Sequence, residues 1–232
     1  MRSSRRWSRA AGGSSTRHRP MAMRKACRAR SRQRAASEKL FIATKLETPD
    51  AQELKRSLVR LKTASVDLLQ LHNVSSKQQS LERFRKWTKQ GMCRYVGITS
   101  TFRPDYPVVE TVLGGEKPDF VQIDYSFDNR EAEKTILPLA PEIRASVLTA
   151  LPHGNGRVFR AVHGKELPDW ARAFANSWGQ FFLKYLLGDP RVTAVIPGTS
   201  NPTHMADNAG AMQDPLPDPD QRRRMVQFVE AL

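Results

Sequence analysis

The sequence predicts an α/β fold of the (β/α)8 TIM-barrel type, incomplete and built from about six βα units. Short segments rich in Val, Ile, Leu and Phe alternate along the chain with longer segments of helical periodicity. Strands that are apolar throughout are typical of parallel sheets covered by helices. Polar side chains follow nearly every one of these segments, and the ends of parallel strands converge on one mouth in a barrel. The alternative is an open doubly wound sheet, in which the same side chains would spread along a line. The predicted strands are residues 40–45, 66–72, 95–100, 120–126, 146–150 and 193–196.

The helices between these strands are predicted from apolar spacing and capping residues. Thr48 is the expected N-cap and Pro49 the first residue of a helix that carries Leu54, Leu58 and Leu61 at helical spacing. Further helices are predicted around residues 81–87, 108–113 and 136–139.

Two longer amphipathic helices are predicted in the C-terminal part of the chain. The last of them is expected to bury Met225 and to direct Arg222, Arg223 and Arg224 to solvent. The other is expected to run without a break through Trp170, Phe174, Phe181 and Tyr185.

The net charge of +15 is concentrated at the N-terminus. Residues 1–36 hold twelve Arg or Lys and no acidic residue, whereas residues 37–232 hold 26 basic and 23 acidic residues. An Arg-rich segment with few large aliphatic side chains cannot bury enough apolar surface to fold. We therefore predict a disordered segment at 1–37 and a folded domain at 38–232. Binding of nucleic acid or of an anionic surface by this arm is an alternative function. Trp7 is the one aromatic side chain in residues 1–36, however, and nucleic-acid bases usually stack on several.

The cysteine content and the hydropathy pattern limit the compartment and the partners. Cys27 and Cys93 are too few and too scattered for a disulfide framework or a zinc site. No apolar run approaches the roughly 18 residues that a membrane helix requires. We therefore expect a cytoplasmic protein without a metal site and without a membrane partner.

The stretch from Val195 to Asn208 is typical of a strand followed by a tight polar loop and a helix N-terminus. Pro197 and Gly198 end the strand, and Asn201 is the expected N-cap before Pro202. Such a loop directs backbone N–H groups at one point and favours an anion there. The spacing alone leaves open whether a phosphate binds or the loop only connects two elements.

Five motifs over residues 39–232 resemble the aldo-keto reductases in content and order. The resemblance implies a (β/α)8 barrel enzyme that transfers a hydride between NADP(H) and a small aldehyde or ketone. The chain would then comprise the third to eighth βα units of that barrel. The motifs are Ala-Thr-Lys45, Leu-Leu-Gln-Leu-His72, Val-Gly-Ile-Thr99-Ser100, Gln122-Ile-Asp-Tyr, and Ile-Pro-Gly-Thr-Ser-Asn-Pro with Asn208.

The resemblance assigns roles to individual residues. Lys45 resembles the family's active-site lysine, and His72 resembles the histidine that closes the following strand. Gly198 and His204 stand where members that prefer NADP carry Lys and Arg, so NAD(H) is the alternative cofactor. The residues placed at the cofactor are Thr99, Ser100 and Gln122 near the nicotinamide carboxamide, Leu151, Pro152 and Gly154 over the pyrophosphate, and Gly198, Thr199, Ser200, Asn201, His204 and Asn208 at the adenosine phosphate.

This chain departs from the family's pattern at two of the four groups that carry out the reaction. The family uses a tyrosine as proton donor and an aspartate that holds the lysine, both in the first two βα units. This chain has neither Tyr nor Asp before Lys45. General acid catalysis contributes about 10²–10⁴-fold, so we expect impaired hydride transfer. A truncated, catalytically inactive reductase is the alternative.

Overall fold

The computed structural model describes residues 40–213 and 215–232, which form one parallel sheet alternating with helices. Each strand pairs with its neighbours in the sequence, so the spatial order is the chain order. A doubly wound sheet would reverse its strand order at a switch point. The sequential order is therefore that of a barrel wall, and the predicted barrel-type fold is confirmed. The strands are β1 (Ala43–Leu46), β2 (Val66–Leu71), β3 (Cys93–Ser100), β4 (Phe120–Asp124), β5 (Ser146–Ala150) and β6 (Val192–Val195).

Helices connect successive strands, as parallel pairing requires. None of the described helices combines the length and the apolar character needed to cross a membrane. The predicted disordered segment 1–37 lies outside the described residues. The helices are α1 (Ala51–Leu61), α2 (Glu82–Lys89), α3 (Tyr106–Glu116), α4 (Ile136–Glu142), α5 (Arg157–Ala161), α6 (Trp178–Leu187), α7 (Pro202–Gly210) and α8 (Pro219–Glu230).

The two faces of the sheet bury different sets of side chains. The outer face packs against the helices in a large apolar core, to which Leu69 and Ile98 belong. The inner face carries a smaller cluster around Leu68, Phe120 and Leu148. Because successive side chains alternate between faces, the inner face also carries the polar residues described below.

Gly97 of β3 is required by the close packing on this inner face. It pairs with Gln70 on one side and with Phe120 on the other. A Cβ atom at Gly97 would lie 2.9 Å from the Phe120 carbonyl oxygen and 3.1 Å from Gln70 Cγ. The backbone oxygen cannot move away without disturbing the β3–β4 pairing.

Replacing Gly97 with alanine is therefore expected to lower the free energy of unfolding by about 1–3 kcal/mol, the usual cost of overpacking. Gly114 provides a matched control, because it lies in α3 and a Cβ there would meet nothing within 4 Å. Gly114→Ala is expected to be neutral or stabilising by up to about 1 kcal/mol. Urea denaturation of the two variants measures both values, and equal stability of the two would contradict the packing argument.

The first helix begins later than predicted. The predicted N-cap Thr48 and first residue Pro49 are wrong, since α1 starts at Ala51 with Asp50 as its N-cap. The Asp50 carboxylate accepts a hydrogen bond from the Gln52 N–H at 2.9 Å. A carboxylate satisfies a free N–H at the positive end of the helix, and this favours the later start.

The helix predicted to run unbroken through residues 170–185 is interrupted. Residues 169–173 form a 3₁₀ turn, and α6 begins only at Trp178. Ser177 has extended backbone angles, and its hydroxyl accepts from the Gln180 N–H at 3.0 Å. This serine cap starts a new helix, so the apolar spacing that spans the break belongs to two elements.

Arg222 is the second correction in the C-terminal part. Its side chain was expected in solvent but is only 15% exposed. It donates to the Tyr185 carbonyl at 2.9 Å and to the Tyr125 hydroxyl at 3.0 Å, and it lies 3.4 Å from the buried Asp189. The acceptors lie in α6, just after α6 and just after β4, so they hold α8 against these two parts of the fold.

Candidate functional site

A cavity of about 790 Å³ opens where β5 and β6 end. Its wall is formed by the β5–α5 loop, the start of α6, the β6–α7 loop and α7. Two predicted segments more than 40 positions apart in the sequence thus meet at one place. The predicted cofactor residues that line it are Leu151, Pro152, Gly198, Thr199, Ser200, Asn201, His204 and Asn208.

The β6–α7 loop has the local geometry that the sequence predicts. Asn201 is the N-cap of α7, and its side-chain oxygen accepts from the Thr203 N–H at 2.9 Å. Pro202 is the first helical residue, which confirms the predicted helix start. The Asn201 N–H donates in turn to the Thr199 hydroxyl at 3.1 Å. The positive end of the α7 dipole therefore lies at the cavity wall, where it favours an anion.

The β5–α5 loop depends on left-handed backbone conformations. Gly154, Asn155 and Gly156 have φ values of 53°, 55° and 87°. Gly154, predicted as a cofactor residue, is buried and does not line the cavity, because it faces the Asp128 side chain. A Cβ atom there would lie 2.9 Å from Asp128 Cγ. The Asp128 carboxylate also pairs with Arg157 Nε at 2.6 Å, so the turn after β4 anchors this loop.

Helix α6 joins the two loops through polar contacts that the sequence analysis missed. Asp207 of α7 lines the cavity and accepts from the Ser177 hydroxyl at 2.7 Å and from Gln180 Nε2 at 2.9 Å. His153 lies in the cavity wall, with Nε2 3.2 Å from the Gly179 carbonyl oxygen. Burial lowers the pKa of His153, so its ring is neutral at pH 7. Each residue had one signal in the sequence: Asp207 precedes Asn208, and His153 lies between Pro152 and Gly154.

The described residues that line the cavity include no lysine and no arginine. The Asp207 carboxylate is held by its two hydrogen-bond donors at one side of the wall. Backbone N–H groups and hydroxyls are therefore the groups that would bind an anion here. Across the described parts of the chain, no three His, Cys, Asp or Glu side chains are grouped to bind a metal ion.

Lys45 and His72 lie at the ends of β1 and β2, outside this cavity. Lys45 is half-buried and pairs with Gln70 in the β1–β2 register. His72 Nδ1 is 2.6 Å from Glu47 Oε1, and Asn73 Nδ2 lies 3.4 Å from the other oxygen of that carboxylate. The sequence analysis missed Glu47, although its position two residues after Lys45 predicts the same face of the sheet.

Thr99 and Gln122 are neighbours on the inner face, because they pair directly in the β3–β4 register. Both are buried. Gln122 Oε1 accepts a hydrogen bond from Gln70 Nε2 at 3.1 Å. Ser100 follows Thr99 and therefore lies on the opposite face of β3, where its hydroxyl accepts from the Phe102 N–H at 3.3 Å. The structure thus brings Thr99 and Gln122 together and places Ser100 apart from them.

Asp124 is the next inner-face residue after Gln122. Its side chain is 7% exposed, and its Oδ1 has no hydrogen-bond partner among the described residues. Burial raises the pKa of Asp124 to about 6, against a hydrogen bond from Asn129 that lowers it. Between pH 3.8 and about 6, the Asp124 carboxyl therefore keeps a proton in the folded chain that it has lost in the unfolded chain.

This shift predicts a pH dependence of stability. The contribution of Asp124 is fully present below pH 3.8 and is lost as the pH rises to about 6. His153 has a lowered pKa and acts in the opposite direction, since its contribution is lost as the pH falls below 6.5. Asp124→Asn is expected to remove only the first dependence. Urea denaturation of both proteins from pH 4 to pH 7 measures the difference, and identical pH profiles would contradict the assignment.

Comparison with known proteins identifies relatives over most of the chain. A family model described as the aldo/keto reductase family matches residues 22–226. The chain is 27% identical over 184 residues to the uncharacterized oxidoreductase YqkF of Bacillus subtilis, which covers 69% of this chain and 59% of that protein. It is also 27% identical over 163 residues to the uncharacterized oxidoreductase C215.11c of Schizosaccharomyces pombe, covering 69% and 51%. The chain thus spans between half and three-fifths of these curated relatives.

Solved structures support the same fold. An aldo/keto reductase from Klebsiella pneumoniae, in complex with NADP and acetate, matches with a TM-score of 0.74 and 20% identity over 90% of this chain and 76% of that chain. The holo form of the aldo-keto reductase AKR11C1 from Bacillus halodurans matches with a TM-score of 0.72 and 20% identity over 90% and 78%. At this level of identity the structural likeness concerns the fold.

Proposed function

This chain belongs to the aldo/keto reductase family, and from that premise we propose that it is an oxidoreductase that binds NADP(H) and acts on a small aldehyde or ketone. One observation carries the proposal. The Leu151–Pro152 segment and the Gly198–Asn208 segment, each predicted at the cofactor, line a single cavity at the mouth of the sheet. Active sites of barrel enzymes lie at this end of their strands.

The cavity fits the phosphate-bearing end of a dinucleotide. Its volume of about 790 Å³ lies within the range of small-molecule sites. The N-terminus of α7 and the hydroxyls of Thr199 and Ser200 supply hydrogen-bond donors and a positive dipole for a phosphate. NAD(H) is the alternative cofactor, because the described residues of the cavity wall include no lysine or arginine for an additional phosphate.

The proposed reaction uses residues at the other strand ends. A bound nicotinamide would supply the hydride that reduces the carbonyl carbon. The carbonyl oxygen would take its proton from solvent water, because this chain has no tyrosine before Lys45 to act as the family's donor. Thr99 and Gln122 would hold the nicotinamide carboxamide, and Lys45 would place a positive charge beside the carbonyl oxygen. Glu47 holds the His72 ring through Nδ1 at 2.6 Å, and the ring would help to orient the substrate carbonyl.

The proposal is tested by placing a negative charge where the phosphate would bind. Ser200→Glu is expected to weaken binding of NADPH at least tenfold, because the carboxylate repels the phosphate and occupies the positive end of α7. The control is Ser65→Glu, an exposed serine just before β2 at the opposite end of the sheet. Calorimetric titration with NADPH and with NADH measures the affinities and the preference between the two cofactors. Equal affinity of the two variants would contradict the proposed site.

A further inference from the structure

We propose that Gln70 is a positioning residue that fixes the side-chain amide of Gln122 and so determines which of its groups faces the nicotinamide carboxamide. This inference rests on the proposed function. It concerns a buried contact between β2 and β4, on either side of β3, that neither the motifs nor the cavity accounts for.

The contact crosses β3 at its glycine. Gln70 pairs with Gly97, and Gln122 pairs with Thr99, two positions further along the same strand. All four residues lie on the inner face of the sheet. Because Gly97 has no side chain, the two glutamines meet over it, with Gln70 Nε2 3.1 Å from Gln122 Oε1. Any larger residue at position 97 would occupy the space that the Gln70 stem uses.

Burial makes this hydrogen bond difficult for solvent to replace. Gln70 is 1% exposed and Gln122 is 5% exposed, so solvent does not substitute readily for either partner. Among the described residues, Gln70 Oε1 has no hydrogen-bond partner. Losing the Nε2 contact as well would leave a second buried polar group unsatisfied, and such groups are costly. The Gln70 side chain is therefore held to the Gln122 amide, which accepts through Oε1 in the structure.

The donor and acceptor roles of Gln122 follow from this contact. An amide side chain offers an oxygen that accepts and an NH₂ group that donates. With its oxygen engaged by Gln70, Gln122 keeps its NH₂ group as the donor for a ligand. A nicotinamide carboxamide beside Gln122 would then be bound through its carbonyl oxygen. Gln70 thereby sets the orientation of the nicotinamide amide without touching it.

The test reverses the Gln122 amide. In Gln70→Glu the carboxylate only accepts hydrogen bonds, so it pairs with the Gln122 NH₂ group and turns the Gln122 oxygen outward. Gln70→Leu removes the contact altogether. The probes are NADPH and 2′-phospho-ADP-ribose, which lacks the nicotinamide. Gln70→Glu is expected to weaken NADPH binding about tenfold and Gln70→Leu to weaken it less, with the affinity for 2′-phospho-ADP-ribose unchanged for both.

The outcomes separate this inference from the proposed function. If the unmodified chain binds neither probe, the proposed function fails and the role of Gln70 fails with it. If it binds both probes but the Gln70 variants lose affinity for the two equally, Gln70 only supports the fold and the inference is overturned. Unchanged NADPH affinity in both variants overturns it too. In a Gln122→Ala background, Gln70→Glu is expected to have no further effect on NADPH, and a further loss would contradict the inference.

Discussion

Lys45→Ala is expected to reduce carbonyl-dependent oxidation of NADPH by about 10²–10³-fold in kcat, the usual effect of removing one group that stabilises developing charge. Lys45 is half-buried at the end of β1 and shares the inner face with Gln70 and Gln122. A positive charge in this position stabilises negative charge on the carbonyl oxygen as the hydride arrives. The measurement is the rate of NADPH absorbance loss with an aldehyde and with a ketone.

Lys55→Ala is the matched control, because Lys55 is exposed on α1 and removes the same charge from the surface. Its rate is expected to equal that of the unmodified chain. Equal rates for Lys45→Ala and Lys55→Ala would remove Lys45 from the proposed mechanism. If the unmodified chain binds NADPH but shows no turnover, the chain is the catalytically inactive reductase of the alternative hypothesis rather than an active enzyme.

Phe181→Ala is expected to lower the free energy of unfolding by about 3–5 kcal/mol, as large aromatic truncations in cores do. Phe181 is fully buried in α6, and its ring centroid lies 5.0 Å from that of Trp178 and 5.6 Å from that of Phe182. Domains of this size have total stabilities of about 5–15 kcal/mol, so this is a large fraction. Denaturation in urea, followed by circular dichroism, measures the change.

Phe102 provides the control for this prediction, since its side chain is 63% exposed after β3. Phe102→Ala is expected to change stability by less than about 0.5 kcal/mol. Helix α6 also carries Gly179, which lines the cavity, and Gln180, which binds the cavity residue Asp207, so Phe181→Ala is expected to weaken NADPH binding as well. A stability loss below about 1 kcal/mol for Phe181→Ala would show that α6 is not fixed by this aromatic packing.

The strands and their order could be predicted because each strand is a continuous apolar segment, and such segments are recognised locally. Strand β5 lies where it was predicted, and the ends of the other strands differ by at most three residues, as for β1, which starts at Ala43 rather than Leu40. The burial of Arg222 could not be predicted, because its acceptors lie 37 and 97 positions away in the sequence. A run of three arginines is usually solvated, and only the packing of α8 distinguishes the first of them.

The candidate site likewise contains some residues that could be predicted from the sequence and others that could not. Residues within a motif, such as Asn201 and Pro202, could be placed because a cap depends on its immediate neighbours. Asp207 and His153 reach the cavity through contacts with Ser177 and Gly179 of another segment. Gln70 likewise acquires its partner only when β3 places a glycine between two strands. Such pairings follow from tertiary packing, which periodicity and spacing do not encode.

The contact between Gly154 and Asp128 limits which residues can occupy these two positions together. A side chain at position 154 would have to adopt a positive φ and also displace the carboxylate that pairs with Arg157. A change at position 128 to a smaller residue would remove the second obstacle and leave the first. Relatives with a residue other than glycine at 154 are therefore expected to carry Asn there and a shorter side chain at 128. The residues at the two positions would then vary together because of the geometry of this loop.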